Sequence, residues 1–229
     1  MRVAVFDLDG TLADTSADLI AAANATLGEA GFGAPLDVDL DRAVAFAGGR
    51  AMLRAGLMRT AGAVEEARVE DGYPRLLAHY AANIDRHTRI YDGVEAALDE
   101  LAAAGWGLGV CTNKPAALAE TLLTRLGLRG RFRAMLGADS LAFRKPDPRH
   151  LLETIARVGG TPGQAVLVGD TVTDRAAAGA AGVPCILVGF GPDGPCVMAL
   201  APEAVLDHYA DLAGLLERIV PRVSRRPNR

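Results

Sequence analysis

The chain has 229 residues, half of them hydrophobic, with 24 basic against 28 acidic side chains and a formal net charge of −4. That length can hold one large or two small domains around a buried core, and the acidic balance gives no support for nucleic-acid binding. No apolar run reaches the roughly 18 residues of a membrane span, and the N-terminal strand meets Asp7 too early for a secretory signal. Those two features lead to the expectation of a cytoplasmic protein, and the three cysteines, Cys111, Cys185 and Cys196, lack metal-ligand spacing and read as free thiols.

In chain order, an apolar strand over residues 3–6 runs directly into Asp7-Leu8-Asp9-Gly10-Thr11. Residues 14–90 then read as helical throughout, with Tyr73, Leu77, Tyr80 and Ile84 on one apolar face and no strand between them. After Tyr91-Asp92-Gly93 the pattern becomes a parallel-sheet alternation. A helix over 94–104 leads to a strand over 107–111, and further strands are predicted at 134–137, 165–168 and 185–188, with an edge strand at 205–206. The first strand has no partner nearby in sequence and must pair within this later sheet. The helical block is therefore an insertion that caps the site, joined by short hinges near 12–16 and 88–93. The expected division is a catalytic core of residues 1–13 and 92–221, an all-helical cap of 14–91, and a basic tail of 222–229 carrying Arg222, Arg225, Arg226 and Arg229.

A buried strand has no packing reason to end in two carboxylates. Residues two apart on a strand point to one side, so Asp7 and Asp9 can share a small volume at the strand's carboxyl end, where open α/β sheets bind ligands. That anionic volume calls for a divalent cation, and the environment would separate the pair into a nucleophile and a proton carrier. A calcium loop is the competing reading, but Gly10 is fourth rather than sixth, Asp18 rather than Glu stands twelfth, and a strand precedes it.

Thr112 and Asn113 follow a second strand and precede Pro115, an arrangement that suits either a phosphate cradle or a simple helix cap. Lys145, framed by Pro146 and Pro148 on an extended backbone, is expected to neutralise a phosphoryl group in preference to Arg144. Asp170, at the end of another strand, can complete an oxygen shell for Mg²⁺ with Asp7 and the backbone carbonyl of Asp9. Asp174 is either a metal ligand, a support behind the ligands, or the N-cap of a helix over 176–181 that stops at Gly182. Within the helical block, Arg50 after Ala47-Gly48-Gly49 is a candidate for a substrate carboxylate, although it also begins an ordinary helix. None of the four histidines has ligand spacing.

Together, Asp7-x-Asp9-x-Thr11, Thr112, Lys145 and Gly169-Asp170 with Asp174 resemble the four ordered motifs of haloacid dehalogenase-like hydrolases, and the match spans nearly the whole chain. Residues 7–19, the run Cys111-Thr112-Asn113-Lys114-Pro115, and Gly189-Phe190-Gly191 followed by Ala204-Val205-Leu206-Asp207 are similar to bacterial phosphoglycolate phosphatases. The resemblance implies a Rossmann-like three-layer α/β core with a parallel sheet and an inserted helical cap. It also implies Mg²⁺-dependent hydrolysis of a phosphate monoester through a phospho-aspartate. Asp7 would be the nucleophile and Asp9 the proton carrier, fixed by Thr11. Asp7, Asp9, Asp170 and Asp174 would serve the metal, while Gly10, Thr112, Asn113 and Lys145 would hold the phosphoryl oxygens. The implied partner is a small phosphorylated metabolite, 2-phosphoglycolate first, with no nucleic acid and no membrane, and a homodimer as an open option. The alternative is a phosphatase or phosphomutase of the same fold acting on a sugar phosphate, nucleotide or pyrophosphate. Asp92 departs from the pattern, standing where the family usually has Pro before Gly93.

Overall fold

A computed structural model describes residues 1–191 and 194–222. Its elements, in chain order, are β1 (Val3–Phe6), β2 (Ala13–Asp14), α1 (Ser16–Glu29), α2 (Arg42–Phe46), α3 (Gly49–Ala61), α4 (Glu66–Ala82), β3 (Arg89–Ile90) and α5 (Val94–Ala103). There follow β4 (Gly107–Cys111), α6 (Ala116–Arg125), β5 (Ala134–Leu136), α7 (Pro148–Val158), β6 (Ala165–Gly169), α8 (Val172–Ala181), β7 (Cys185–Val188), β8 (Ala204–Leu206) and α9 (Leu212–Ile219). Arg225, Arg226 and Arg229 of the expected basic tail lie outside the described residues, while Arg222 donates to the Ala104 carbonyl at 2.9 Å. Among the described residues, no helix is long and apolar enough to cross a membrane.

Six strands form one parallel sheet in the order β5-β4-β1-β6-β7-β8. Helices cover both faces, giving the Rossmann-like α/β architecture. The central strand β1 is apolar at every position because both faces are buried. Its alternate side chains divide between two cores. Ala4 and Phe6 join Val94, Leu98 and Leu122 from α5 and α6, while Val3 and Val5 join Leu151, Ile155 and Ala178 from α7 and α8.

The chain enters the sheet in the middle, adds β4 and β5 on one side, then returns to add β6, β7 and β8 on the other. This reversal around β1 opens a crevice at the strands' carboxyl ends. The backbone ladder runs one residue past the strands there: the Asp7 amide donates to the Val168 carbonyl at 2.9 Å, and that of Thr112 to Leu136 at 3.0 Å. The polar residues that follow each strand are thus fixed by sheet hydrogen bonds. Helix α7 begins with its own local signals, since the Asp147 carboxylate caps the Arg149 amide and Pro148 occupies the first helical position.

Residues 14–90 are not helical throughout. Where the chain leaves and re-enters the core, β2 and β3 pair antiparallel, Ala13 with Ile90 and Asp14 with Arg89. Two-residue strands are too short to display a period, which hides this ribbon from the sequence pattern. Asp18 reinforces the junction, with its carboxylate accepting from the His87 and Thr88 amides and the Thr88 hydroxyl at 2.8–3.0 Å. On α4 the buried stripe is Val69, Gly72, Leu76 and Tyr80; Tyr73 and Leu77 are half-buried and, with Leu76 and Tyr80, line a cavity between the helices and the sheet.

Candidate active site

The cavity holds about 530 Å³ and is floored by the carboxyl ends of β1, β4 and β6, with α2, α3 and α4 above. That is a volume for a small ligand. Asp7, Asp170 and Asp174 converge beneath it, each offering a carboxylate oxygen within 4.8 Å of the others. Three buried carboxylates this close repel one another, and the fold supplies one ammonium among them. Lys145, 1 % exposed at its side chain, places Nζ 3.0 Å from Asp7 Oδ1 and 2.6 Å from Asp174 Oδ1.

The electrostatic result is uneven. Burial, reinforced by Asp174 and Asp9 and opposed by Lys145, pushes the Asp7 carboxyl up to about 6. Asp170 is held well above the usual carboxylate range by burial, with Asp7 and Asp174 adding to it. Burial works against the charge on Lys145, but Asp174 and Asp7 outweigh it and keep the ammonium protonated.

Asp170 accepts from the Thr11 hydroxyl at 3.0 Å on Oδ1, while its Oδ2 is buried with no hydrogen-bond partner. An orphaned, desolvated carboxylate oxygen facing further carboxylates is what a hard divalent cation would satisfy, so the donor set fits a metal. Both oxygens of Asp174 already accept hydrogen bonds. Oδ1 takes Lys145, and Oδ2 accepts from the Thr171 hydroxyl at 2.7 Å and its amide at 3.1 Å. Asp174 can therefore brace the cluster from behind while still offering it a carboxylate oxygen. The N-cap of its helix is Thr171, with Asp174 as the third residue of a reciprocal capping box, and the helix begins at Val172 rather than 176. Gly182 ends the helix in the left-handed conformation, as expected.

Gly10 closes the turn after Asp9 with φ of 79°, and a Cβ there would run into the Asp170 carboxylate. Gly10→Ala is accordingly expected to displace Asp170 and to lower turnover by roughly 10²-fold while the circular dichroism spectrum stays native. A wild-type rate would show that Asp170 does not depend on this close approach.

Asp9 is organised separately. Its Oδ1 accepts from Lys114 Nζ at 2.7 Å and from the Thr15 hydroxyl at 2.7 Å. Thr15, not Thr11, fixes Asp9, because the turn at Gly10 swings Thr11 towards Asp170. The sequence pattern does not mark Lys114. It is buried and also donates to the Tyr80 hydroxyl at 2.8 Å, so Tyr80 of α4 meets the sheet-end machinery through it. Burial opposes its charge, but Asp9 and Tyr80 sustain it. The available signal was position: Lys114 is two residues beyond Thr112 at a strand end, although without a proline frame.

Thr112 and Asn113 both line the cavity. The Thr112 oxygen accepts from the Lys114 amide at 3.2 Å, which leaves its proton to donate. Asn113 Nδ2 donates one proton to the Lys145 carbonyl at 2.9 Å, bracing the loop that carries the lysine, and has a second proton for a ligand. Pro115 is the residue immediately before α6. The 144–147 segment is not extended: the Asp147 amide returns to the Arg144 carbonyl at 2.9 Å, and the Lys145–Pro146 peptide is cis. Arg50 reaches the cavity wall, but its guanidinium is committed to Glu70 at 2.7 and 2.8 Å and stacks 3.8 Å from the Tyr73 ring centre. His150, fully buried, lies below the site between Cys111 Sγ at 3.4 Å and the Gly137 carbonyl at 3.1 Å, tying the ends of β4 and β5 together.

A sequence model of haloacid dehalogenase-like hydrolases matches residues 4–188, the span that contains every one of these groups. The chain belongs to this family. Among curated members, a phosphoglycolate phosphatase from Agrobacterium fabrum is 40 % identical over 221 residues, covering 96 % of this chain and 94 % of its own. One from Rhodospirillum rubrum is 40 % identical over 220 residues, covering 94 % and 90 %. A crystal structure of a Haemophilus somnus protein, described as a predicted phosphoglycolate phosphatase, superposes with a TM-score of 0.83 at 26 % identity, covering 94 % of this chain and 97 % of that one. This haloacid dehalogenase-like hydrolase is thus an enzyme of the phosphatase class.

Proposed function

We propose that this hydrolase is a Mg²⁺-dependent phosphatase that cleaves a small phosphate monoester, 2-phosphoglycolate, through a phosphoryl-Asp7 intermediate. The observation that carries the reading is that two carboxylates at one strand end are each held by their own buried ammonium, Asp7 by Lys145 and Asp9 by Lys114. Asp7 lies among further carboxylates while Asp9 lies apart against Thr15 and Lys114, and carboxylates in different environments can take different roles. Phosphoglycolate as substrate is supported by the relatives' activity, and three free thiols suit a reducing cytoplasm.

Asp7 and Asp170, with the backbone of Asp9 beside them, would hold Mg²⁺, which supplies charge neutralisation between the phosphoryl group and the carboxylates. The Lys145 ammonium and the free Thr112 proton meet phosphoryl oxygens, the ammonium turning part of its charge from Asp7 to the incoming anion. An Asp7 carboxylate oxygen attacks phosphorus in line as the phosphorus–ester oxygen bond breaks. Asp9 delivers a proton to the departing alkoxide. Thr15 and Lys114 both bind Oδ1, which leaves Oδ2 as the exchanging oxygen. Asp9 then takes a proton from the water that attacks phosphorus, releasing inorganic phosphate and restoring both acids.

The deciding experiment is phosphate release, with and without Mg²⁺, from 2-phosphoglycolate, sugar phosphates, nucleotides and pyrophosphate. Metal-dependent release fastest from 2-phosphoglycolate is expected; isomer formation in place of release would make the enzyme a mutase. A pH dependence follows from Asp7. Its carboxyl moves from 3.8 to about 6 on folding, so the metal-free fold gains stability from protonation, and loses it as pH rises through the upper value. Mg²⁺ must displace that proton. The rise in Tm that Mg²⁺ produces is therefore expected to be larger at about pH 8 than at about pH 5, and a pH-independent rise would exclude Asp7 as a ligand.

A further inference from the structure

The positive charge lining the cavity is mostly committed. Lys145 serves Asp7 and Asp174, Lys114 serves Asp9 and Tyr80, and Arg50 is locked to Glu70. The remaining arginine on the wall is Arg144. It is exposed, and among the described residues its guanidinium has no carboxylate, hydrogen-bond or aromatic partner. The nearest acid along its loop, Asp147, cannot neutralise it, since Arg149 occupies both carboxylate oxygens at 2.9 and 2.6 Å.

The backbone beneath this free group is braced at three points. The Arg144 carbonyl accepts from the Asp147 amide, the Lys145 carbonyl accepts from Asn113, and the Lys145 side chain is buried against Asp7. The guanidinium thus projects from a fixed base, one residue from the ammonium that touches the candidate nucleophile. A planar fork of donors matches a carboxylate in two-point geometry, and the braced backbone removes loop ordering from the cost of binding one, leaving only the side chain to be fixed.

We propose that Arg144 is the specificity-determining residue of this enzyme, receiving the carboxylate of the substrate while its phosphoryl end lies against Asp7 and Lys145. The assignment rests on the phosphatase reading above and deepens it, because it defines the substrate class as small phosphate monoesters with a carboxylate close to the ester oxygen.

The test compares 2-phosphoglycolate with ethyl phosphate, in which a methyl replaces the carboxylate, for the unmodified enzyme, Arg144→Gln and Arg144→Lys. The unmodified enzyme is expected to prefer 2-phosphoglycolate. Arg144→Gln should lose roughly 10- to 100-fold in kcat/KM on that substrate, carried by KM, and only a small fraction of that on ethyl phosphate, with Arg144→Lys recovering part of the loss. An Arg144→Gln enzyme that keeps the preference, or that loses equally on both substrates, overturns the assignment and leaves the phosphatase reading standing. An unmodified enzyme that cleaves both equally overturns the carboxylate class and Arg144 with it; one that cleaves neither, yet releases phosphate from a sugar phosphate, nucleotide or pyrophosphate, overturns 2-phosphoglycolate as the substrate as well.

Discussion

Asp7→Asn is expected to reduce kcat by on the order of 10⁵-fold or more, because the substitution removes the only oxygen nucleophile the mechanism provides at the end of β1. The fold should survive. Asp7 is 8 % exposed and its carboxyl is pushed up to about 6, so at neutral pH the native state carries a charge there that burial disfavours. A neutral amide of the same shape removes that cost, and Lys145 keeps Asp174 as its partner at 2.6 Å. In the absence of Mg²⁺, Tm near neutral pH should therefore equal or exceed that of the unmodified protein, and the gain on adding Mg²⁺ should shrink. The measurement is phosphate release beside thermal denaturation, with intact mass to exclude deamidation back to the acid. Turnover by a verified amide would remove Asp7 from the nucleophile's role.

Lys145→Met is the second large effect, and it strikes stability and catalysis together. The methionine preserves length but leaves Asp7, Asp170 and Asp174 buried within 4.8 Å of one another without their ammonium. Removing one partner from a buried ion-pair network costs about 3–5 kcal/mol. The sign of the pH effect is set by the orphaned acids. Without the cation the folded Asp7 and Asp170 carboxyls rise further, so the stability that their protonation contributes is present at low pH and lost as pH increases. Urea denaturation should show a deficit at about pH 8 that narrows at about pH 5, and Mg²⁺ should narrow it at the higher pH by supplying the missing charge. Turnover should fall by at least roughly 10²- to 10³-fold through loss of a phosphoryl-oxygen donor. A deficit equal at both pH values and indifferent to Mg²⁺ would mean that Lys145 contributes packing rather than charge.

Much of this molecule is legible in its one-dimensional pattern, for identifiable reasons. Short continuous apolar runs such as Val3–Phe6 and Ala165–Gly169, too short for a helix, read as strands buried on both faces, and polar residues following them emerge at the sheet's carboxyl edge. The helix bounded by Asp147-Pro148 and the stop at Gly182 carry local chemistry that acts without the rest of the chain. Those signals depend on neighbours a few residues apart.

Partner choice is different. Thr11 and Thr15 are both hydroxyls near Asp9, and only the turn at Gly10 sends one to Asp170 and the other to Asp9. Lys114 reaches Asp9 across 105 residues and Tyr80 across 34, whereas Arg50, attractive beside two glycines, finds Glu70 on the neighbouring helix. The two-residue ribbon at 13–14 and 89–90 exists only because both hinge crossings are brought together. The sequence by itself determined the parallel core, the inserted helices and the strand ends that carry acids, since these follow from burial period and local capping. Tertiary structure alone decided which cation neutralises which acid and which arginine stays free. Charge pairing depends on distances between side chains, and chain segments far apart in sequence acquire those distances only when they pack.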